Sequence, residues 1–199
     1  MDQTQQPRGD FVAFMTRDKQ PGDKRPAFEG RIAKPGTEDK HEMALWAHEY
    51  TDPKTGEVKV MFNGSADAVP AGAPAAEQIA ALVKFAPEGG VATLNNLSIA
   101  ARQIVLFPNG FKDDVPGKDR PDYWGAYNPG DGTPLVRISV WAKADRNGRA
   151  YLSGATQYPI LGRSEADMQK VADGLAELLE RGDVTQGMPD KGKKRGGRS

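Results

Sequence analysis

Cysteine is absent from this 199-residue chain. Disulfides, thiolate catalysis and every cysteine-ligated metal site are excluded with it, and the composition fits a reducing compartment. Histidine occurs only as His41 and His48, seven residues apart. A zinc-protease helix needs two histidines four apart with a glutamate between them, and on a strand these two would face opposite ways. No metal site and no cofactor are therefore expected. No apolar run approaches the ~20 residues of a helical membrane span. Met1 to Asp10 is too polar for a secretory signal, so the expectation is a soluble, cytoplasmic protein with no membrane partner. The phosphate-binding Gly-rich Lys-Ser/Thr loop, the dinucleotide fingerprint and the Gly-x-Ser-x-Gly elbow are missing, which points away from an enzyme. Neither sign of charge is in excess, with 27 basic and 27 acidic residues.

What is abundant is turn-forming residues. The chain holds 23 glycines and 15 prolines against 38% apolar residues, which favours a turn-rich β fold over a helical bundle. It also repeats itself. Arg25-Pro26-Ala27-Phe28-Glu29-Gly30 leads to Pro35-Gly36 and Trp46-Ala47. Arg120-Pro121-Asp122-Tyr123-Trp124-Gly125 leads to Pro129-Gly130 and Trp141-Ala142 with almost the same spacing. Asn63-Gly64-Ser65 and Ser153-Gly154-Ala155 close the two copies. Units this short are marginal alone, so the copies are expected to share a core. The predicted fold is mainly β with two peripheral helices, two tandem antiparallel units packed together and the C-terminal helix on one face.

The organisation follows from local pattern. Residues 1–10 are expected to be disordered, 11–70 to form the first β repeat and 71–92 a connecting helix and loop. Residues 93–160 form the second repeat, 161–182 a C-terminal helix and 183–199 a flexible basic tail. Phe11–Met15, the run around Phe28 to Ile32, Met43–Tyr50, Glu57–Asn63, Leu97–Phe107, Leu135–Lys143 and Ala150–Ala155 read as strands. Asp52 to Gly56 is a turn, and Asn147-Gly148 predicts a hairpin corner with two residues at positive φ. Pro74 opens one helix, with Ile79, Leu82 and Val83 on a face. Ser164 caps the other, with Met168, Val171, Leu175 and Leu178 as an apolar stripe.

Two features suggest binding. Arg25, Phe28, Arg120, Tyr123, Trp124 and Tyr127 would combine guanidiniums for phosphates with rings for bases, if they lie on the surface. Taken as scaffold, the same residues are rings packed on glycines. The tail adds Lys191, Lys193, Lys194, Arg195 and Arg198 without an acidic residue. Because the whole chain is neutral, the rest is mildly acidic. The carboxylates Asp113, Asp114, Asp119 and Asp122 are interleaved with Lys112, Lys118 and Arg120, which makes a solvated mixed-charge loop rather than a cation site.

The second copy also resembles a family of small uncharacterised proteins frequent in proteobacterial genomes, plasmids and integrative elements. Ala101-Arg102, Phe107-Pro108-Asn109, Arg120 to Tyr123, Trp141-Ala142-Lys143, Asn147-Gly148-Arg149 and Tyr151-Leu152-Ser153 carry that resemblance, over about residues 98–155. It implies a compact β domain and a mobile-element or phage setting, and it assigns no catalytic residue. The expected function is non-enzymatic binding of nucleic acid, chiefly single-stranded DNA, by an accessory protein. The alternative is a protein-binding inhibitor or adaptor. Arg25, Arg120, Arg137 and Arg149 sharing a face with Tyr123 and Trp124 would favour nucleic acid. Exposed rings rimmed by Asp and Glu would favour a protein partner.

Overall fold

Alternation of apolar and polar residues over short, turn-bounded segments produces eight strands in a computed structural model that describes residues 6–67, 97–114 and 116–158. All of them lie within the unit that ends at Ile160. The strands are β1 (Arg8–Met15), β2 (Phe28–Ala33), β3 (Lys40–Thr51), β4 (Val58–Ala66), β5 (Gln103–Pro108), β6 (Tyr123–Tyr127), β7 (Val136–Ala144) and β8 (Ala150–Gln157). Each pairs antiparallel with its sequence neighbours, and β1 pairs with β8 from Arg8↔Gln157 to Phe14↔Tyr151, so the sheet closes into one up-and-down barrel. Closure leaves no free edge among these strands.

The period of two sends one set of side chains inward. Phe11, Ile32, Leu45, Phe62, Ile104, Leu106, Tyr127, Ile138 and Leu152 are among those filling the lumen, which is a packed core. Closing so small a barrel requires sharp coiling, and glycine supplies it at inward positions. At Gly30 an added Cβ would lie 1.9 Å from the Val12 carbonyl oxygen, and at Gly125 1.8 Å from that of Val105. Gly64 and Gly154 are equally tight against Ala44 and Ser139. Every even-numbered strand thus carries one glycine pressed on the odd-numbered strand before it.

A second cluster lies outside the lumen. Tyr50, Met61, Val105, Phe107, Trp124 and Ala126 pack with Leu97 and Ile99 against the outer surface of β4, β5 and β6. Residues 97–99 are held there by the Asn128 side-chain amide, which donates to the Ile99 carbonyl at 2.9 Å.

Several expectations change. Arg8 to Asp10 belong to β1 instead of a disordered end, because the ladder to β8 takes them up. Leu97 to Ile99 are a strap that buries Leu97 and Ile99, and β5 starts only at Gln103. Tyr123–Tyr127, read from sequence only as motif, is a full strand. At Asp145–Arg149 only Gly148 has positive φ (76°), so the corner is a type I turn with a glycine bulge, not the two-residue turn. The Asp145 carboxylate accepts from the Asn147 and Arg149 amides at 2.8 and 2.9 Å and satisfies that corner. Both helices, at 74–85 and 164–181, and the tail fall outside the described residues.

Candidate nucleic-acid interface

The repeated motif locks loops. Arg25 donates to the Arg17 and Asp18 carbonyls at 3.4 and 3.0 Å and pairs with Asp23 at 2.6 Å, tying down the loop between β1 and β2. Arg120 donates to the Phe111 carbonyl at 2.7 Å in the loop between β5 and β6. The tryptophans hold the residue just before each arginine: the Trp46 indole N–H donates to the Lys24 carbonyl at 2.9 Å, and Trp141 to the Asp119 carboxylate at 3.0 Å. The arginine side chains stabilise the chain's own carbonyls. The Asp23 carboxyl is pulled down to about 2 by its hydrogen bond from Arg25.

The motif rings do not form the expected surface. Phe28 and Tyr127 point into the lumen and are buried. Tyr123 packs on the same core, its ring 5.1 Å from Phe62, which in turn meets Phe28 edge-on at 5.4 Å. Trp124 faces outward but is 5% exposed beneath the outer cluster, with its ring 5.1 Å from Phe107. Arg25, Arg120, Arg137 and Arg149 therefore share no stacking face with Tyr123 and Trp124. Removing the last two rings together would damage the fold, since each fills packed volume. Lys191, Lys193, Lys194, Arg195 and Arg198 lie outside the described residues.

A different aromatic and basic surface is present on the outer face of β7, β8 and β1. The register sets Lys143, Tyr151 and Phe14 in one row across these strands, and Trp141, Ser153 and Val12 in the next. Phe14 is 38% exposed and stacks with Tyr151 at 5.6 Å between centroids and 25° between planes. The Arg149 guanidinium lies 5.4 Å from the Phe14 centroid. It is fixed by donating from Nε and Nη2 to the Met15 carbonyl at 2.8 and 2.6 Å. Arg8 and Arg137 flank Gln157 on the same face. Among the outward positions of these strands Arg8, Arg137 and Lys143 are opposed by one carboxylate, Asp10, which Lys40 meets at 3.1 Å; Arg149 lies in the turn between β7 and β8, as does Asp145. The strand phase carries the signal for this surface. Phe11 and Ala13 take the inward positions of β1 and Leu152 that of β8, which leaves Phe14 and Tyr151 outward.

The face runs into a groove of about 660 Å³ over β1 to β4. Its floor is made of small residues, Gly30, Ala44 and Ser65, and its walls of Phe14, Glu29, Arg31 and Glu42. Asp67 closes the far end: its backbone N–H donates to the Glu42 carbonyl at 2.7 Å, and its carboxylate meets His41 Nδ1 at 2.5 Å and Arg102 at 3.7 Å. Asp67 and Arg102 both hold positive φ, 57° and 66°. On the outer side of β3, burial lowers the His48 pKa, and its Nε2 is buried without a hydrogen-bond partner. Among the described residues no group of three or more histidines and carboxylates is placed to hold a metal ion.

No family model matches this chain, and neither a curated protein nor a solved structure is similar to it.

Proposed function

We propose that this protein binds single-stranded nucleic acid, DNA in the first instance, through the outer face of β7, β8 and β1, without catalysing a reaction. The observation that carries the proposal is the exposed Phe14–Tyr151 stack under Arg149, with Lys143 in the same row. Rings present π-faces to unpaired bases irrespective of sequence, and cations beside them meet the phosphates. A duplex hides its base faces, so the arrangement favours single strands. The outer wall also carries mid-strand charges such as Arg31 around an apolar lumen, the inverse of a lipid-facing barrel.

With this reading goes the proposal that the barrel is built from two related four-stranded halves. Hydrogen bonds at matching motif positions support it: Ala27 N donates to the Leu45 carbonyl at 2.7 Å and Asp122 N to that of Val140 at 2.9 Å. Membership of residues 98–155 in the family they resemble, an accessory role for a mobile element or phage, a cytoplasmic location and a contribution of the basic tail are parts of the same proposal.

The test is fluorescence anisotropy with a labelled single strand and its duplex, at low and physiological salt. The full chain is compared with a version ending at Asp190 and with the double variant Phe14→Ala, Tyr151→Ala. Stacking contributes about 1–3 kcal/mol per base. The double variant should keep the native circular dichroism and bind the single strand at least tenfold more weakly. Unchanged affinity would remove this face from the proposal. Binding that disappears with residues 191–199 alone would reduce it to tail electrostatics. Absence of binding at low salt would refute the nucleic-acid reading in favour of a protein partner.

A further inference from the structure

The groove beside Phe14 has a counterpart on the other side of the barrel, and the comparison indicates what it takes. Glu29 precedes Gly30 as Trp124 precedes Gly125. Across the strands Phe14 pairs with Glu29 and Glu29 with Ala44. In the same way Phe107 pairs with Trp124 and Trp124 with Ser139. On the β5–β6 side the indole of Trp124 lies against the Phe107 ring, tilted by 39° at 5.1 Å, and both rings are buried. On the β1–β2 side the chain supplies no such indole. Glu29 is exposed, Phe14 is partly exposed, and both line the groove of about 660 Å³. That volume is within the roughly 300–1,000 Å³ of small-ligand sites. The same strand geometry thus accepts a planar ring from the chain itself in one half and leaves that place open in the other.

We infer that this groove takes one nucleobase bearing an exocyclic amino group, stacked on Phe14 with its amino edge toward the carboxylates of Glu29 and Glu42. The inference rests on the nucleic-acid reading and adds base preference to it. Carboxylates only accept hydrogen bonds, so they match the amino groups of cytosine, adenine and guanine. Thymine presents a single N–H between two carbonyl oxygens, which face the carboxylates with like partial charge. Arg31, between Glu29 and Glu42 on the lattice of outward positions, supplies the cation for the phosphate of the held nucleotide.

The experiment is anisotropy binding of the full chain to homopolymeric dC and dT oligonucleotides of equal length. The native protein is compared with Glu29→Trp and Glu29→Ala. The native chain should bind dC about tenfold more tightly than dT, in line with one good base-edge contact. Glu29→Trp places in β2 the ring that β6 already accommodates, fills the groove and should remove the preference while circular dichroism stays native. Glu29→Ala removes the acceptor without filling the groove, and should reduce the preference as well if the larger substitution fails to fold. Equal affinity of the native chain for dC and dT overturns the base preference and leaves single-strand binding standing. A dC preference retained in both variants overturns the assignment to this groove. Failure to bind either oligonucleotide overturns both readings.

Discussion

Gly125→Ala gives the sharpest test of how this barrel closes. The added Cβ would sit 1.8 Å from the Val105 carbonyl oxygen, 2.8 Å from its carbonyl carbon and 2.9 Å from the Leu106 Cα. These are backbone atoms, so no side chain can swing aside, and β5 must retreat by about 1 Å or more. Such a retreat lengthens the ladder bonds on both sides of the Leu106↔Gly125 pair. Losing two of them costs about 1 kcal/mol each. Disturbing the fully buried Val105 and Leu106 adds about 1–3 kcal/mol of overpacking strain. The sum, roughly 3–5 kcal/mol, lowers the melting temperature by about 10 °C in a protein of this size. Gly132→Ala is the comparison. Gly132 has φ of 84° but nothing within 4 Å of the added methyl, so only the left-handed backbone penalty of about 1–2 kcal/mol applies. Thermal unfolding followed by circular dichroism distinguishes the two. If Gly125→Ala melts no lower than Gly132→Ala, close strand approach at the inward glycines is not what shapes the barrel.

Hydrogen bonds from Arg25, Lys59 and Lys34 hold the carboxyls of Asp23, Asp52 and Asp131 below their ordinary range. A folded-state pKa below the unfolded value of about 3.9 stabilises the native state above that pH, and the contribution is lost as pH falls through the folded value. The melting temperature should therefore hold at neutral pH and drop steadily between about pH 4 and pH 2, with a shallower drop in Asp131→Asn and Asp52→Asn; parallel curves in these variants would contradict the assignment. Trp46→Phe keeps an aromatic side chain but leaves the Lys24 carbonyl without its donor, at about 1 kcal/mol, and the lost ring volume adds a packing cost. Hydrogen exchange in residues 16–27 should accelerate while the strands stay protected, and unchanged exchange would deny the loop lock. On the proposed face, Lys143→Ala and Arg137→Ala should each lower the salt slope of single-strand binding by about 0.7, the share of one phosphate contact. A slope that does not move would take these side chains out of the phosphate path.

Most strands and the turn positions were legible because they depend on local pattern, whereas β6 and the type of the Asp145–Arg149 corner were not. The alternation around Met43 and Leu45 and the turn at Asp52 to Gly56 need no knowledge of distant residues. Closure was not legible. Nothing local tells Arg8 to Asp10 that Gln157 to Ala155 will pair with them, so a polar start looks disordered. The rings of the motif were misassigned for a related reason. Phe28 and Tyr123 each occupy an inward phase, but a five- or six-residue strand gives too few alternations to fix that phase. Trp124 does face outward, and the outer cluster with Leu97, Ile99 and Phe107 removes it from solvent. Phe14 and Tyr151 escaped notice because neither belongs to the repeat, and they meet only where the first strand joins the last.

That contrast bears on where function should be sought in a chain that repeats a motif. Arg-Pro, the following ring, the glycine and the Trp-Ala pair do the same structural work in both halves: loop locking, lumen filling and strand coiling. Residues occupied in that way are not free to meet a ligand. The positions at which the halves differ have no such obligation. Phe107 is fully covered while its counterpart Phe14 is exposed, and Trp124 fills the place that Glu29 leaves open. The binding surface proposed for this barrel accordingly lies on the arc from β7 to β4, where an exposed ring, a groove and an excess of cations on β7, β8 and β1 fall together. Glu29→Trp, with Trp124 kept in its buried place, would separate scaffold from site. It should fill the groove without altering the strand register, and the base preference should disappear with it.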